Sequence, residues 1–350
     1  MRLSGAGKSL TEEGAKTVRI VPAGTVLVLV RGMALFNGLP VVFCNQPVAF
    51  NQDIKGLVPK KGVDGEFLAF SIIAKQKHIL RHLDTAGHGT GRLDTELLRS
   101  TTLSVPALPK QRKIAQLLRT WDEALEKLGS LRVAKEQRLN SLRAELLFGG
   151  LRLNGQQRRW KSTRLAFLTH ELINRNGAKG LSREYVMGVS KTQGVVPMRE
   201  QTIAGDISRY KRLPARAFAY NPMRINVGSI AMNDHEEEVL VSPDYVVFAC
   251  NSDGLNPGYL DHLRKTRWWA HYINSGGSGS VRQRTYYDDL AALKPPLPDV
   301  DEQKDIVAVL NTARDDLAAT EREIEALSRQ KRGLMQKLLT GEWRVEMETN

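Results

Sequence analysis

The chain has 350 residues, 41% hydrophobic and 25% charged, the balance of an ordinary globular protein with room for roughly two or three domains. Its net charge is +13 and its pI near 9.8, a surplus that suits a polyanion such as DNA and fits equally a basic protein with no nucleic-acid partner. Nothing in it is apolar for long enough to span a bilayer, and Cys44 and Cys250 offer neither a disulfide framework nor a zinc spacing.

Read from the front, "MRLSGAGKSLTEEGAK" lacks the apolar core of a signal peptide, so the expected location is cytoplasmic. "GAGKS" at Gly5 is no phosphate loop. The glycine required five residues before the Gly-Lys pair is Arg2, and no strand precedes it. A strand follows at Gly24–Val30. The corner "SVPALP" then breaks regular structure and leads into a long amphipathic helix beginning at Gln111. A second variable region opens with "RRWKSTRLAFL". Its "YNPM" at Tyr220 has Met223 where an amino-methyltransferase signature needs a second proline, so a strand end with a turn is expected. "DHEEE" at Asp234 reads as a solvated loop. The corner "LKPPLPDVDE" introduces a second long helix beginning at Gln303.

These helices are copies. A shift of 192 residues lays Gln111 on Gln303, Ile114 on Ile306, Leu118 on Leu310, Leu146 on Leu338 and Gly149 on Gly341 without a gap. Upstream the match continues with a small shift, "GHGTG" at Gly87 against "GGSGS" at Gly276. The plan is a variable domain, a glycine-rich loop, a proline corner and a helix, used twice.

Seam positions in the second helix alternate by four and three, and most are apolar: Ile306, Leu310, Ala313, Leu317, Thr320, Ile324, Leu327, Lys331, Leu334 and Leu338. That is a coiled-coil seam. The first helix gives Ile114, Leu118, Trp121, Leu125, Leu128, Leu139, Leu142 and Leu146. Its seam meets Arg132 and Lys135, with Leu131 and Ala134 one place away. Either the seam slips there, or polar residues fix its register. Each helix is about 55 Å long at ~1.5 Å per residue, and Gly149 and Gly341 suit C-caps. Two such seams in one chain can bury each other, antiparallel if the halves are related by a pseudo-two-fold. The excess charge lies mostly before the helices: residues 1–110 carry +6 and 148–302 carry +5, against +3 over 111–147 and +1 over 303–339.

The proline corners leading to Gln-Lys-x-Ile or its like, the long helices and the closing "KRGLMQKLLTGEWR" resemble the specificity subunit of type I restriction–modification enzymes. The resemblance extends to "FNQDIKGLVP", "GTGRLDTELLRSTTLSVPALP", "YNPMRINVGSI", "VSPDYVVF" and "NSGGSGSVRQRTYYDDL". It implies an α+β (mixed α/β) fold: two target-recognition domains joined by two long antiparallel coiled-coil helices, in a pseudo-two-fold repeat. The first domain would cover 1–110, its helix 111–149, the second domain 150–302, its helix 303–341, and a tail 342–350. The front of the first domain is short beside the second. The implied function is recognition of a bipartite DNA target with an unread spacer. Implied partners are double-stranded DNA, two methyltransferase subunits and motor–nuclease subunits, with no membrane. S-adenosylmethionine and ATP with magnesium would sit on those partners, and no cofactor or metal on this chain.

Base reading requires Arg, Lys, Asn, Gln and His on ordered loops. The candidates are Arg31, Asn51, Gln52, Lys55, Lys75, Lys77, His88 and Arg92 in the first domain. In the second they are Arg209, Lys211, Arg212, Arg224, Arg264, Lys265, Arg267, Arg282, Gln283 and Arg284. The seam residues named above would form the helix pair and the partner surface. Trp268 and Trp269 read as core. Two rivals stand beside this reading: a fused or stand-alone DNA methyltransferase or nuclease, for which no cofactor loop or acidic constellation is found, and a coiled-coil adaptor without a DNA role.

Overall fold

A computed structural model describes residues 1–345, apart from 4, 6, 87–88, 154–159, 179 and 276–283. The chain forms two compact units of mixed helix and sheet. The first comprises Met1–Arg132 and Ala319–Asn350, and the second Val133–Ala318. The boundary falls inside both long helices, which run Leu108–Leu146 and Val300–Thr340.

In the first unit, strands β1 (Arg2–Leu3), β2 (Val26–Leu29), β3 (Val41–Cys44) and β4 (Ile54–Leu57) form a sheet in the order β1-β3-β2-β4. The predicted strand at Gly24–Val30 is its interior strand, with Val26 and Val28 fully buried. Asp64 caps helix α1 (Gly65–Ala74), accepting from the Phe67 amide at 2.9 Å. Phe67 and Phe70 of α1 bury against Ile114 and Leu118 of the first long helix and Met335 and Leu338 of the second. Helix α2 (Thr95–Ser100), capped by Asp94, precedes the proline corner.

The second unit repeats this core with more in front of it. Strands β5 (Thr169–Glu171), β6 (Met187–Ser190), β7 (Gly194–Pro197) and β8 (Lys211–Leu213) come first. Strands β9 (Phe218–Tyr220), β10 (Ile230–Met232), β11 (Val239–Val241) and β12 (Val246–Cys250) follow. The main sheet runs β5-β12-β9-β10; β6 pairs with β7, and β8 with β11. Helices α3 (Pro257–Leu263), α4 (Arg267–Ser275) and α5 (Tyr287–Ala291) complete the unit. Trp269 is buried as expected, while Trp268 is half-buried against Phe148 and Tyr272.

Inside each unit the two long helices pack antiparallel. In the first, Leu118 shares a cluster with Met335, and Lys331 pairs with Asp122 four residues further on. In the second, Leu139 and Leu146 share a cluster with Ile306 and Leu310, and Lys135 reaches Asp316 at 2.7 Å. Every seam position read from the sequence is buried or half-buried, Trp121, Leu125, Leu142, Leu317, Ile324 and Leu334 among the latter. The interruption resolves in favour of polar register residues: Lys135 is half-buried and ion-paired, whereas Leu131 is 44% exposed. The helices start earlier than their glutamines. Pro109 lies in the first turn, where no amide hydrogen is needed, and Asp299 caps the second helix by accepting from the Glu302 amide at 3.0 Å. Gly149 and Gly341 both have left-handed backbones, with φ of 76° and 79°.

Gln111 and Gln303 fasten each helix to its own unit, both being buried. The Gln111 amide donates to the carbonyls of Gly62 (2.9 Å) and Pro106 (2.7 Å), and its oxygen accepts from the Asp64 amide at 2.8 Å. Gln303 donates to Gly254 and Pro298, both at 3.1 Å, and accepts from the Asn256 amide at 2.8 Å. Each of those partners lies 192 residues after its counterpart.

Candidate nucleic-acid interface

The segment after β2 and the strand before α2 meet in the first unit. The Leu93 amide donates to the Val30 carbonyl at 2.8 Å, and that of Gly32 to Gly91 at 2.9 Å. The approach is close: a β-carbon at Gly91 would stand 3.1 Å from the Gly32 oxygen, so a larger residue there would push the two segments slightly apart. Beside this junction opens a groove of about 600 Å³. Arg31, Gln52, Lys55 and Arg92, four residues singled out from sequence, line it. Asp53, Asp84 and Asp94 line it as well. Three cations thus face three carboxylates. Asn51 stands at its edge as a turn former, its side-chain oxygen accepting from the Asp53 amide at 3.2 Å.

The second unit builds the same junction. The Thr285 amide donates to the Pro222 carbonyl at 3.1 Å, the pair that lies 192 residues after Leu93 and Val30. A groove of about 330 Å³ there is lined by Lys211, Arg284, Glu171 and Asp244, with Asn221 and Tyr286. Arg284 is the counterpart of Arg92 at that offset, and both are exposed. Again the charges balance, two against two. Burial lowers the Lys211 pKa, with Glu171 opposing, and its ammonium donates to the Tyr245 carbonyl at 2.7 Å. The helix caps Asp94 and Tyr286 keep the full offset, so the small upstream shift read from the glycine loops is not needed at this point.

Other candidates lie elsewhere. Lys75 and Lys77 are at the end of α1 and do not line the first groove. Arg212 pairs with Glu238 at 2.9 Å. Arg264 is committed to Asp261 and to the Ile230 carbonyl, and Lys265 to Asp261 at 2.6 Å. Arg209, Arg224 and Arg267 are exposed outside the second groove. His88, Arg282 and Gln283 lie outside the described residues, as does the loop beginning at Gly276. The groove carboxylates were missed from the sequence. The 192-residue shift carries Arg92 onto Arg284, both named from the sequence, and so marks the second groove as the counterpart of the first.

Among the described residues no group of three or more His, Cys, Asp or Glu is placed to hold a metal. Burial pushes the Cys250 thiol up to about 12, so it stays protonated. No helix among the described residues is long and apolar enough to cross a membrane.

The fold and its grooves define a two-unit α+β protein built on paired long helices. Similar chains of that shape are known. An S subunit of a type I restriction–modification system from M. genitalium has a TM-score of 0.58 and 14% identity, over 93% of this chain and 84% of that one. A chain from a structure of type I R-M system assembly and conformational transition has a TM-score of 0.52 and 16% identity, over the same shares. By sequence, residues 11–135 match the family described as "Type I restriction modification DNA specificity domain". The EcoR124I/EcoR124II specificity subunit of Escherichia coli is 26% identical over 115 residues, 32% of this chain. The MjaIX specificity subunit of Methanocaldococcus jannaschii is 29% identical over 128 residues, 35% of this chain. The matched stretch spans 28% of the length of each of those two relatives. The resemblance of the chain to type I specificity subunits is borne out.

Proposed function

We propose that the chain reads a bipartite DNA target, one half in each groove, with an unread gap that the paired long helices define. The observation that carries this reading is the recurrence of the groove: the same backbone junction and an exposed arginine, 192 residues apart. Balanced charge suits bases better than phosphates. Arginine can bond guanine in a bidentate way, and a carboxylate can accept from the cytosine amino group while repelling a phosphate. The chain's overall +13 supplies the attraction to the backbone, so binding should weaken steeply with salt. The resemblance supports a division of labour that we infer here: this chain recognises DNA without catalysis, two methyltransferase subunits carry S-adenosylmethionine, and motor–nuclease subunits carry ATP and magnesium. The complex works in the cytoplasm, and the outer faces of the helices serve as the partner surface.

The test is methylation mapping by long-read sequencing after co-expression with modification subunits in a methylation-free host. The expected motif is two short specific runs around a fixed gap. Arg92→Ala should relax one run and Arg284→Ala the other, each by about 1–3 kcal/mol of discrimination. A motif unchanged in both variants would overturn the assignment of the grooves.

A further inference from the structure

The units differ sharply where α1 and α3 begin. In the first, the buried Glu66 carboxylate accepts from Arg2 at 2.9 and 3.0 Å, with Arg119 at 3.6 Å. There the chain itself supplies an anion between the two guanidinium groups. The residue 192 positions later is Gly258, which has no side chain to offer. Around it lies a cavity of about 510 Å³ whose walls carry Lys191, Arg216, Arg264, Lys265 and Arg314. Only two carboxylates share those walls, Asp261 and Asp234. Asp261 is already bonded to both Arg264 and Lys265, and Asp234 is exposed. Arg314 also bonds its neighbour Asp315 at 3.0 Å. With Asp315 counted, the cavity keeps two positive charges beyond these carboxylates, unlike either groove.

Arg216 is the telling residue. Among the described residues it is the one non-glycine with positive φ, at 67°. Its counterpart is Gly24, with φ of 87°, and both make the same backbone bond: Gly24 to the Cys44 carbonyl at 2.7 Å, Arg216 to that of Asn233 at 2.8 Å. The fold asks for glycine at this point, and the second unit keeps a strained arginine. Its guanidinium passes over Gly258, with Nη2 3.4 Å from where a β-carbon would stand. That β-carbon would also lie 2.8 Å from Val307, so the floor is kept bare. Nearby, burial lowers the Arg143 pKa; Asp261 opposes this, and Arg264 and Arg314 add to it.

We propose that this cavity binds a phosphate group, held by Arg216 and Arg314 with Lys191 at its mouth. A phosphate monoester carries between one and two charges at neutral pH, and its oxygens match the guanidinium fork. The source is a DNA backbone or a free phosphate compound. The inference stands apart from the reading of the grooves, because it concerns different residues and requires no base contact.

Calorimetric titration of the full chain with inorganic pyrophosphate tests it. Saturable binding is expected, weakened at least tenfold by Arg216→Gly and severalfold by Arg314→Gln. Arg216→Gly should melt no lower than the parent chain, since glycine suits the backbone there. Absence of binding by the parent chain, or Arg216→Gly binding within twofold of it, would overturn the proposal. Repeating the titration with saturating duplex DNA identifies the source. Loss of pyrophosphate binding assigns the cavity to a backbone phosphate, and retention assigns it to a free phosphate compound.

Discussion

Phe67 and Phe70 hold the first unit to its helices; 192 residues later the same positions are Tyr259 and His262. The first pair makes no hydrogen bond through its side chains: it packs among apolar groups, with the Lys331 ammonium 5.4 Å from the centre of the Phe70 ring. The second pair adds hydrogen bonds. The Tyr259 hydroxyl donates to the Leu147 carbonyl at 3.1 Å, and His262 stands between Asn311, at 3.0 Å from Nε2, and Arg143, at 3.4 Å from Nδ1. A shared backbone plan therefore tolerates two chemistries at its most buried joint. The apolar joint is indifferent to pH, and the polar joint is not.

The largest effects should come from what the units share. Leu118 and Leu310 are equivalent and fully buried, so Leu118→Ala and Leu310→Ala should each destabilise by about 2–5 kcal/mol. Urea unfolding measures both, and a large effect at only one site would break the equivalence. Removing a glutamine clamp comes next. Gln111→Leu or Gln303→Leu leaves one amide and two carbonyls unpartnered in the interior, at roughly 3 kcal/mol in total. Similar losses at the two sites would sharpen the comparison.

Acid should then separate the units. Burial lowers the His262 pKa to about 4, with Arg143 adding to the effect and the bond to Asn311 opposing it. The unfolded chain takes up this proton near pH 6.5 and the folded chain only near 4, so stability is full above pH 6.5 and falls as pH drops toward 4. The loss is about 3 kcal/mol at most, and His262→Phe, which copies the first unit, should abolish it. Burial would raise the Asp261 pKa, but Arg264 and Lys265 outweigh it and hold it at about 2, so Asp261 remains charged through this window. An acid midpoint unchanged in His262→Phe would show that another group governs it. The smallest effect tests the seam. Leu131→Asp, on the exposed side, should change stability by no more than about 0.5 kcal/mol.

The helical repeat was legible because a seam is written in consecutive residues at fixed spacing. Ile306, Leu310 and Leu317 announce themselves without tertiary knowledge. The grooves were half legible. Arg31, Lys55 and Arg92 stood out as cations on loops, but nothing local said that Asp53, Asp84 and Asp94 would face them. Arg264 and Lys265 looked like free DNA contacts, yet one buried carboxylate takes both, and that partner is set by the turn of α3.

The sequence by itself determined the duplication, its 192-residue offset and the two long helices, because these rest on periodicity and spacing along the chain, and its motifs carried the family resemblance. Tertiary structure decided the rest. It carried the seam through Lys135 rather than Leu131, since burial and the Asp316 partner depend on the facing helix. It also showed that Glu66 and Gly258, equivalent in number, place a carboxylate among the arginines of one unit and no side chain at the same point of the other. Charge balance belongs to residues gathered in space, and no window along the chain contains it.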